Sequence, residues 1–236
     1  MLNSRPFNFR LALGVPLLMM LLLLAFDPAP VDFSIAHWFY QPASGFIGAK
    51  SYWLENALHD RAKQAVIVFA VLVIVGFLLS FVLQPFKPHR RTLGYLVLTM
   101  AIATSVVTPL KALTAVQCPW SLTDFGGKEI FSSLLDQRPA TSHPGRCWPG
   151  GHASSGFALL AIFFALRDQR PRLARYALIF ALVLGSVFSL GRMMQGAHFL
   201  SHNVWTLLID WMIAVLCYRW LLYRPAPPAL TTEVQP

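Results

Sequence analysis

Continuous apolar runs, separated by short polar turns and two long loops, make up most of the chain. A run of about 18 apolar residues is long enough to cross the hydrocarbon layer of a membrane as a helix. We expect an all-α, polytopic membrane protein, with one domain over residues 1–225 and a disordered, Pro-rich cytoplasmic tail over 226–236. The sequence predicts six transmembrane helices, at about 11–26, 64–86, 92–116, 151–166, 176–190 and 203–222.

The long loops cover about residues 27–63 and 117–151. The first loop is rich in Trp and Tyr, which settle at the level of the lipid headgroups. Segments 31–40 and 52–60 within it are expected to form short helices on the membrane surface. The second loop ends in a Gly-rich segment that leads directly into the fourth apolar run.

Composition agrees with this membrane assignment. Hydrophobic residues make up 56% of the 236 residues and charged residues only 12%, whereas a soluble domain averages about 25% charged residues. The formal net charge of +9 by itself would suit a nucleic-acid partner. The positions of the charges give it a different meaning.

Basic and acidic residues fall on opposite sides of the predicted helices. The termini and short turns contain eleven of the nineteen Lys and Arg residues, namely Arg5, Arg10, Lys87, Arg90, Arg91, Arg167, Arg170, Arg172, Arg175, Arg219 and Arg224. The long loops contain seven of the ten acidic residues, namely Asp27, Asp32, Glu55, Asp60, Asp124, Glu129 and Asp136. By the positive-inside rule, both termini are cytoplasmic and the long loops are external. We therefore expect a multi-pass membrane protein with cytoplasmic termini, external long loops and no nucleic-acid partner.

The segment Cys147–Gly156 places adjacent glycines, Gly150 and Gly151, just before an apolar run. Glycine lets backbone N–H groups approach a ligand closely, and a helix N-terminus favours an anion. His152 follows directly and could transfer a proton. The alternative is a Gly-rich loop that caps a membrane helix and carries an interfacial histidine.

Polar residues at the outer ends of other predicted helices lie at the same depth. Lys111 is near the end of the third helix, Arg192 follows the fifth, and His198 precedes the sixth. A Lys within a membrane helix usually faces a cavity or a partner, although Lys111 is also close enough to the surface to snorkel. Cations, a backbone anion cradle and histidines together suit phosphate chemistry, in which one histidine attacks phosphorus and another protonates the leaving oxygen.

Two other polar features are open to more than one interpretation. His198 and His202 are four residues apart, a spacing that can also bind zinc, but no H-E-x-x-H motif is present. We therefore expect no metal and no cofactor. Asp210 lies within the sixth helix, where it would support His202 or pair with a hydroxyl or tryptophan.

At these residues the chain resembles the type 2 phosphatidic acid phosphatase superfamily. That family has the motifs K-x6-R-P, P-S-G-H and S-R-x5-H-x3-D. This chain keeps their order and spacing as Lys111-x6-Cys118-Pro119, Pro149-Gly150-Gly151-His152 and Gly191-Arg192-x5-His198-x3-His202. The resemblance covers roughly residues 90–225, and it implies a bacterial inner-membrane protein whose external loops and active site are periplasmic.

The resemblance implies a role for each matching residue. His198 would be the nucleophile that forms a phosphohistidine, and His152 would protonate the leaving group. Phosphate oxygens would be bound by Lys111, Arg192 and the N–H groups of Gly150 and Gly151. The family needs no metal.

Three motif positions depart from the family pattern. Cys118 replaces an arginine, Gly150 replaces a serine, and His202 replaces the aspartate that orients the nucleophile. A neutral imidazole at His202 could still accept a hydrogen bond from His198. The chain would then be a variant subfamily, a weakened enzyme or an inactive relative.

Two compensating features are expected in the second long loop. Arg146 is the candidate to replace the missing motif arginine, unless it is an ordinary solvated charge. Cys118 and Cys147 both lie in this external loop, and an oxidising compartment favours a disulfide between them. Such a bond would tie the third helix to the Gly-rich turn.

The function expected from these residues and the resemblance is hydrolysis of a lipid phosphate or diphosphate at the periplasmic face. Candidate substrates are undecaprenyl diphosphate, lipid A, and phosphatidic acid or phosphatidylglycerol phosphate. The alternatives are a lipid-to-lipid phosphotransferase and a non-catalytic lipid transporter. Membrane lipids are the other expected partners, and the sequence defines no oligomeric state.

Overall fold

A computed structural model of the chain describes residues 4–54, 61–138 and 141–225. These residues are mostly helical, as expected. The helices are α1 (Phe9–Ala25), α2 (Ala29–Trp38), α3 (Ala62–Leu79), α4 (Arg90–Thr114), α5 (Gly151–Phe157), α6 (Leu160–Leu166), α7 (Pro171–Met194) and α8 (Leu200–Leu221). The short antiparallel strands β1 (Tyr40–Gln41) and β2 (Gly45–Phe46) follow α2. Single 3₁₀ turns cover Gln84–His89, Pro119–Ser121 and Thr123–Phe125.

Within the described residues, four helices are long and apolar enough to cross a membrane, namely α3, α4 with its flanking turns, α7 and α8. Helices α1 and α2 together would make a fifth, although the chain bends by 88° between them. The apolar segment Gly151–Leu166 is shorter. The structure therefore confirms a helical chain with several apolar helices, and the count of six stays a prediction.

Helix boundaries differ from the predicted ones where polar side chains or prolines intervene. The second predicted span runs to residue 86, but α3 ends at Leu79. Arg90 donates to the carbonyl oxygen of Ser80 and so closes a turn there, and Pro85 has no N–H for a continuing helix. The fifth span begins earlier than predicted, because Pro171 occupies the first turn of α7, where no donor is needed.

The fourth predicted span is divided into α5 and α6, with Ala158 and Leu159 between them. Helix α5 packs closely on α7, where two glycines face each other. A Cβ atom added to Gly156 would lie 2.6 Å from the Cα atom of Gly185. Small residues of this kind let membrane helices approach closely, and here they bring the start of α5 next to the end of α7.

One end of the helix bundle holds both ends of the described chain. The N–H group of Ser4 donates to the carbonyl oxygen of Arg224 at 2.7 Å. Arg167, just after α6, donates to the carbonyl oxygen of Pro6 at 3.0 Å and to the hydroxyl of Tyr218 at 2.5 Å. The N-terminal segment, the α6–α7 connection and the end of α8 therefore lie together.

The opposite end holds the loops. Asp32 of α2 accepts hydrogen bonds from both the N–H group and the hydroxyl of Ser201, at the start of α8. Phe33 stacks on Phe199 with ring centroids 5.2 Å apart. Helix α2 matches the first short helix expected in this loop. The second, expected over 52–60, falls largely outside the described residues, as does the tail over 226–236.

Candidate active site

The Gly-rich turn opens α5, as predicted, but its first amide points inward. The Gly150 N–H group lies 2.8 Å from the Thr206 hydroxyl oxygen and 3.2 Å from the His202 carbonyl oxygen, both of α8. The expectation that this N–H group binds phosphate is therefore corrected, because the hydrogen is already donated within the protein. Gly151 is the first residue of α5.

The glycine at position 150 has a steric cause. A Cβ atom there would lie 2.5 Å from the side-chain oxygen of Asn203, which is closer than van der Waals contact allows. The serine of the family motif would therefore require the Asn203 side chain to move. Gly150, which departs from the family motif, therefore lies against a polar residue of the mostly apolar α8, Asn203. Nothing in the sequence indicated this contact.

Lys111 lies over the same turn. It occupies the last turn of α4, which ends because Ala115 adopts a left-handed conformation with φ of 48°. A Cβ atom added to Gly151 would lie 3.5 Å from the Lys111 ammonium nitrogen. The ammonium group of the half-buried Lys111 side chain therefore lies close to Gly151, and the structure brings these two predicted residues together.

His198 lies in the connection between α7 and α8 and is only 3% exposed. Its Nδ1 atom is 2.7 Å from the carbonyl oxygen of Cys147. Burial, followed by the positive charge of Lys111, the neighbouring His202 and the charge of Arg192, lowers the pKa of His198 well below its ordinary value of 6.5. A neutral imidazole with nearby cations is the state that a nucleophile for phosphate needs.

His202 does not accept the hydrogen bond from His198 that its position in the motif would allow. Its ring lies 6.0 Å from the ring of His198, centroid to centroid, in an edge-on arrangement, and the Nδ1 atom of His198 bonds to the main chain instead. His202 is buried and lines a different cavity of about 330 Å³ beside Trp148 and Trp205. Asp210, eight residues further along α8, is also buried and lies close to Ser154 of α5.

Arg192 and His152 line one narrow crevice between α5 and α7. Arg192 is in the last turn of α7, where its guanidinium donates to the Gln195 side-chain oxygen at 2.8 Å. The guanidinium carbon also lies 5.6 Å from the centroid of a Trp120 ring. These contacts orient the guanidinium at the depth of His152.

The crevice also contains residues that the sequence analysis did not single out. Lys63, at the start of α3, and Gln195 line it together with Leu54 and Ser155. Lys63 lies at the outer end of an apolar run, as Lys111 does, and that shared position is the sequence signal that could have identified it. Gln195 has no comparable signal, because a glutamine in a polar turn is common.

The two loop cysteines are joined in a disulfide, with Cα atoms 5.2 Å apart. The bond connects the segment after α4 to the segment before α5, and both cysteines are buried. Arg146, in contrast, is exposed and lines a separate cavity with Cys118, Lys128, Glu129 and His143. The structure therefore does not place Arg146 in the crevice with Arg192 and His152.

The charges and nucleophilic nitrogens define a site for anion chemistry. Lys111 and Arg192 supply positive charge, the Gly151 turn supplies a close backbone, and His152 and His198 supply ring nitrogens. Across residues 4–54, 61–138 and 141–225, no group of three or more His, Cys, Asp or Glu side chains is arranged to hold a metal ion. Such a site suits transfer of a phosphoryl group to a histidine.

The chain matches a known protein superfamily. Residues 92–226 match the PAP2 superfamily, and the chain belongs to that superfamily. The match spans the helices that carry Lys111, His152, Arg192 and His198. Lys63 lies outside it.

A relative of known activity resembles nearly the whole chain. The lipid A 4'-phosphatase of Francisella tularensis subsp. novicida (strain U112) is 27% identical over 226 residues, which cover 90% of this chain and 97% of the relative. No solved structure matches the chain. The family and the relative together support a lipid phosphatase, and the apolar helices fit a membrane protein.

Proposed function

We propose that the protein is a phosphatase of the bacterial inner membrane that removes phosphate from a lipid phosphate or diphosphate at the periplasmic face. The observation that carries the proposal is the buried His198, whose pKa is lowered by burial and then by the nearby charges of Lys111 and Arg192. Positive charge around a nucleophilic nitrogen stabilises the oxygens of phosphate as negative charge redistributes in the transition state.

The reaction has two steps. In the first, a ring nitrogen lone pair of His198 forms a bond to phosphorus while the bond from phosphorus to the lipid oxygen breaks, and protonated His152 gives its proton to that oxygen. In the second, water attacks phosphorus, His152 takes a proton from the water, and the N–P bond breaks. Phosphate is released and both histidines return to their starting states. No step requires a metal ion.

The substrate is a lipid because the site lies at one end of an apolar helix bundle. A phosphate at headgroup depth would reach the crevice while its acyl or isoprenoid tail stays in the membrane. Lipid A is the first candidate, since the relative is a lipid A 4'-phosphatase. Undecaprenyl diphosphate, phosphatidic acid and phosphatidylglycerol phosphate are the other candidates.

The proposed topology has six crossings. Segment Gly151–Leu166 begins beside His202, at the loop end of the bundle, and is followed by Arg167, which contacts Pro6 and Tyr218 at the other end. Helices α5 and α6 would then cross together as one broken span, in addition to α1, α3, α4, α7 and α8. With the basic turns inside, the site faces the periplasm.

Phosphate release by purified protein in detergent tests the proposal. The panel contains lipid A, undecaprenyl diphosphate, phosphatidic acid and phosphatidylglycerol phosphate, each with and without EDTA. We expect release from at least one lipid, retained in EDTA and abolished by His198→Ala. His143→Ala is the matched control, because this histidine lies on an exposed loop.

Other outcomes identify the competing functions. Phosphate that moves to an added acceptor lipid without release would indicate a phosphotransferase. Loss of activity in EDTA would contradict a metal-independent reaction. If His198→Ala keeps the wild-type rate, His198 is not the nucleophile and the proposed mechanism is wrong.

A further inference from the structure

The nucleophile proposed above lacks the carboxylate that the motif places four residues after it. His202 occupies that position, yet the hydrogen-bond partner of the His198 Nδ1 atom is the carbonyl oxygen of Cys147, at 2.7 Å. A backbone carbonyl can only accept a hydrogen bond. The hydrogen of neutral His198 must therefore be on Nδ1, which leaves the lone pair on Nε2.

The carbonyl is held from several sides. The Cys147 side chain forms the disulfide with Cys118, and its N–H group donates to the Val116 carbonyl oxygen at 3.0 Å. The next residue, Trp148, accepts a hydrogen bond at 3.2 Å from the Thr114 hydroxyl. The segment before the Gly-rich turn is thus fastened to the chain that leaves α4.

We infer that Cys147 is a positioning residue: its carbonyl, fixed by the Cys118–Cys147 disulfide, replaces the missing motif carboxylate and directs Nε2 of His198 toward phosphorus. The inference rests on the proposed function. It also explains why a cysteine, Cys118, replaces the arginine of the first motif, because Cys118 forms the disulfide with Cys147.

The carbonyl keeps its role through the reaction. When Nε2 forms its bond to phosphorus, the Nδ1 hydrogen stays in place and the ring becomes positively charged. The negative end of the carbonyl dipole faces that ring, so the contact favours the phosphohistidine. Reduction of the disulfide by a phosphine, which adds two electrons and two protons to give two thiols, removes the fastening without altering any group that touches substrate.

The first test compares turnover with the disulfide intact and broken. The assay uses the lipid from which the wild type releases phosphate. It compares untreated wild type, wild type treated with a phosphine reductant, Cys118→Ser, and the Cys118→Ser/Cys147→Ser double variant. We expect kcat to fall by about tenfold, as for the loss of one hydrogen bond, with KM changed by less than about twofold. Cys217→Ala is the matched control, since this buried thiol is outside the site.

Thermal unfolding separates positioning from a purely structural role. All rates are measured well below the unfolding temperature of each variant. A lower unfolding temperature with an unchanged kcat would mean that the disulfide only stabilises the fold, and it would overturn the inference. A reduced wild-type sample that stays folded but turns over slowly would support it even if a serine variant fails to fold.

The tautomer of His198 gives an independent readout. Solid-state NMR of protein labelled with ¹⁵N at histidine, with His198 assigned from the His198→Gln spectrum, distinguishes a protonated Nδ1 from a protonated Nε2. We expect hydrogen on Nδ1 in the oxidised protein and a shift toward hydrogen on Nε2 after reduction. Hydrogen on Nε2 in the oxidised protein contradicts the inference directly.

The last experiment tests whether a carboxylate at position 202 restores the lost kcat. In the double serine background, His202→Asp restores the carboxylate of the family motif, and we expect it to recover part of the lost kcat. His202→Asn, of the same size but neutral, should recover less. An inactive wild type would reject the proposed function, and the NMR measurement would still test the role of Cys147 because it does not depend on catalysis. An active wild type with unaffected cysteine variants would reject only the role of Cys147.

Discussion

At the scale of single residues, the three departures from the family motifs are each matched by a contact of another residue. The Asn203 side-chain oxygen occupies the space that a Cβ atom at position 150 would need, and Cys118 is bonded to Cys147. The Cys147 carbonyl faces the His198 ring atom that His202 was expected to contact. The substitutions are therefore coupled to the structure around them, which favours a variant subfamily over a decaying site.

The missing motif arginine leads to a prediction about Lys63. Its side chain lines the crevice with His152 and Arg192, whereas Arg146 lines a separate cavity. Lys63→Gln should raise KM about tenfold, since a hydrogen bond to a charged group contributes about 1.5–3 kcal/mol, and Arg146→Gln should raise it less. Steady-state kinetics checks this, with the exposed Lys50→Gln as control. A larger effect of Arg146→Gln would restore Arg146 as the compensating cation.

The environment of His198 predicts the acid limb of the pH profile. The nucleophile must be neutral, and burial with nearby positive charge lowers the pKa of His198 below 6.5. Protonation therefore begins only at more acidic pH, and kcat/KM should stay high as pH falls through 6.5 and decline below it. A pH–rate profile measures this limb. An apparent acid-limb pKa at or above 6.5 would contradict the burial seen around this ring.

At the scale of elements, the apolar runs indicated where most of the long helices lie, and their outer ends indicated the candidate site. Lys111 and Gly151 meet because α4 ends where α5 begins, and Arg192 ends α7 at the same depth. The division of α5 from α6 could not be predicted, since residues 158–159 are as apolar as their neighbours. The partners that Gln195, Thr206 and the Cys147 carbonyl find could not be predicted either, because these contacts depend on tertiary packing.

The contact between α5 and α7 predicts that one added methyl group would disturb the site. In Gly156→Ala, the new Cβ atom would lie 2.6 Å from backbone atoms of Gly185, so the helices must separate. Overpacking of this kind costs about 1–3 kcal/mol, and separation moves His152 away from Arg192.

We expect Gly156→Ala to lower both the unfolding temperature in detergent and kcat. Gly14→Ala is the control, because nothing lies within 4 Å of a Cβ atom at that position. If the two variants unfold at the same temperature and turn over at the same rate, the close approach of α5 and α7 is not required for activity.

At the scale of the whole molecule, the two ends of the bundle have different chemistry. Ser4 and Arg224 are hydrogen-bonded to each other at one end, together with Arg167. His198, the disulfide and the acidic loops lie at the other. A segment whose ends, here Ser4 and Arg224, meet on one side must cross a membrane an even number of times. If α1, α3, α4, α7 and α8 all cross, the shorter segment α5–α6 must cross too.

An even number of crossings predicts which side of the membrane the α6–α7 connection faces. A short biotin-acceptor peptide is inserted into the full chain between Gln169 and Arg170, and in a second variant between Ser142 and His143. A biotin ligase confined to the cytoplasm should label the first insertion and leave the second unlabelled. Both variants must retain phosphatase activity for the comparison to count. If neither insertion is labelled, both ends of Gly151–Leu166 lie outside, and α5 and α6 re-enter the membrane instead of crossing it. The basic turn after α6 would then face the periplasm, against the positive-inside rule.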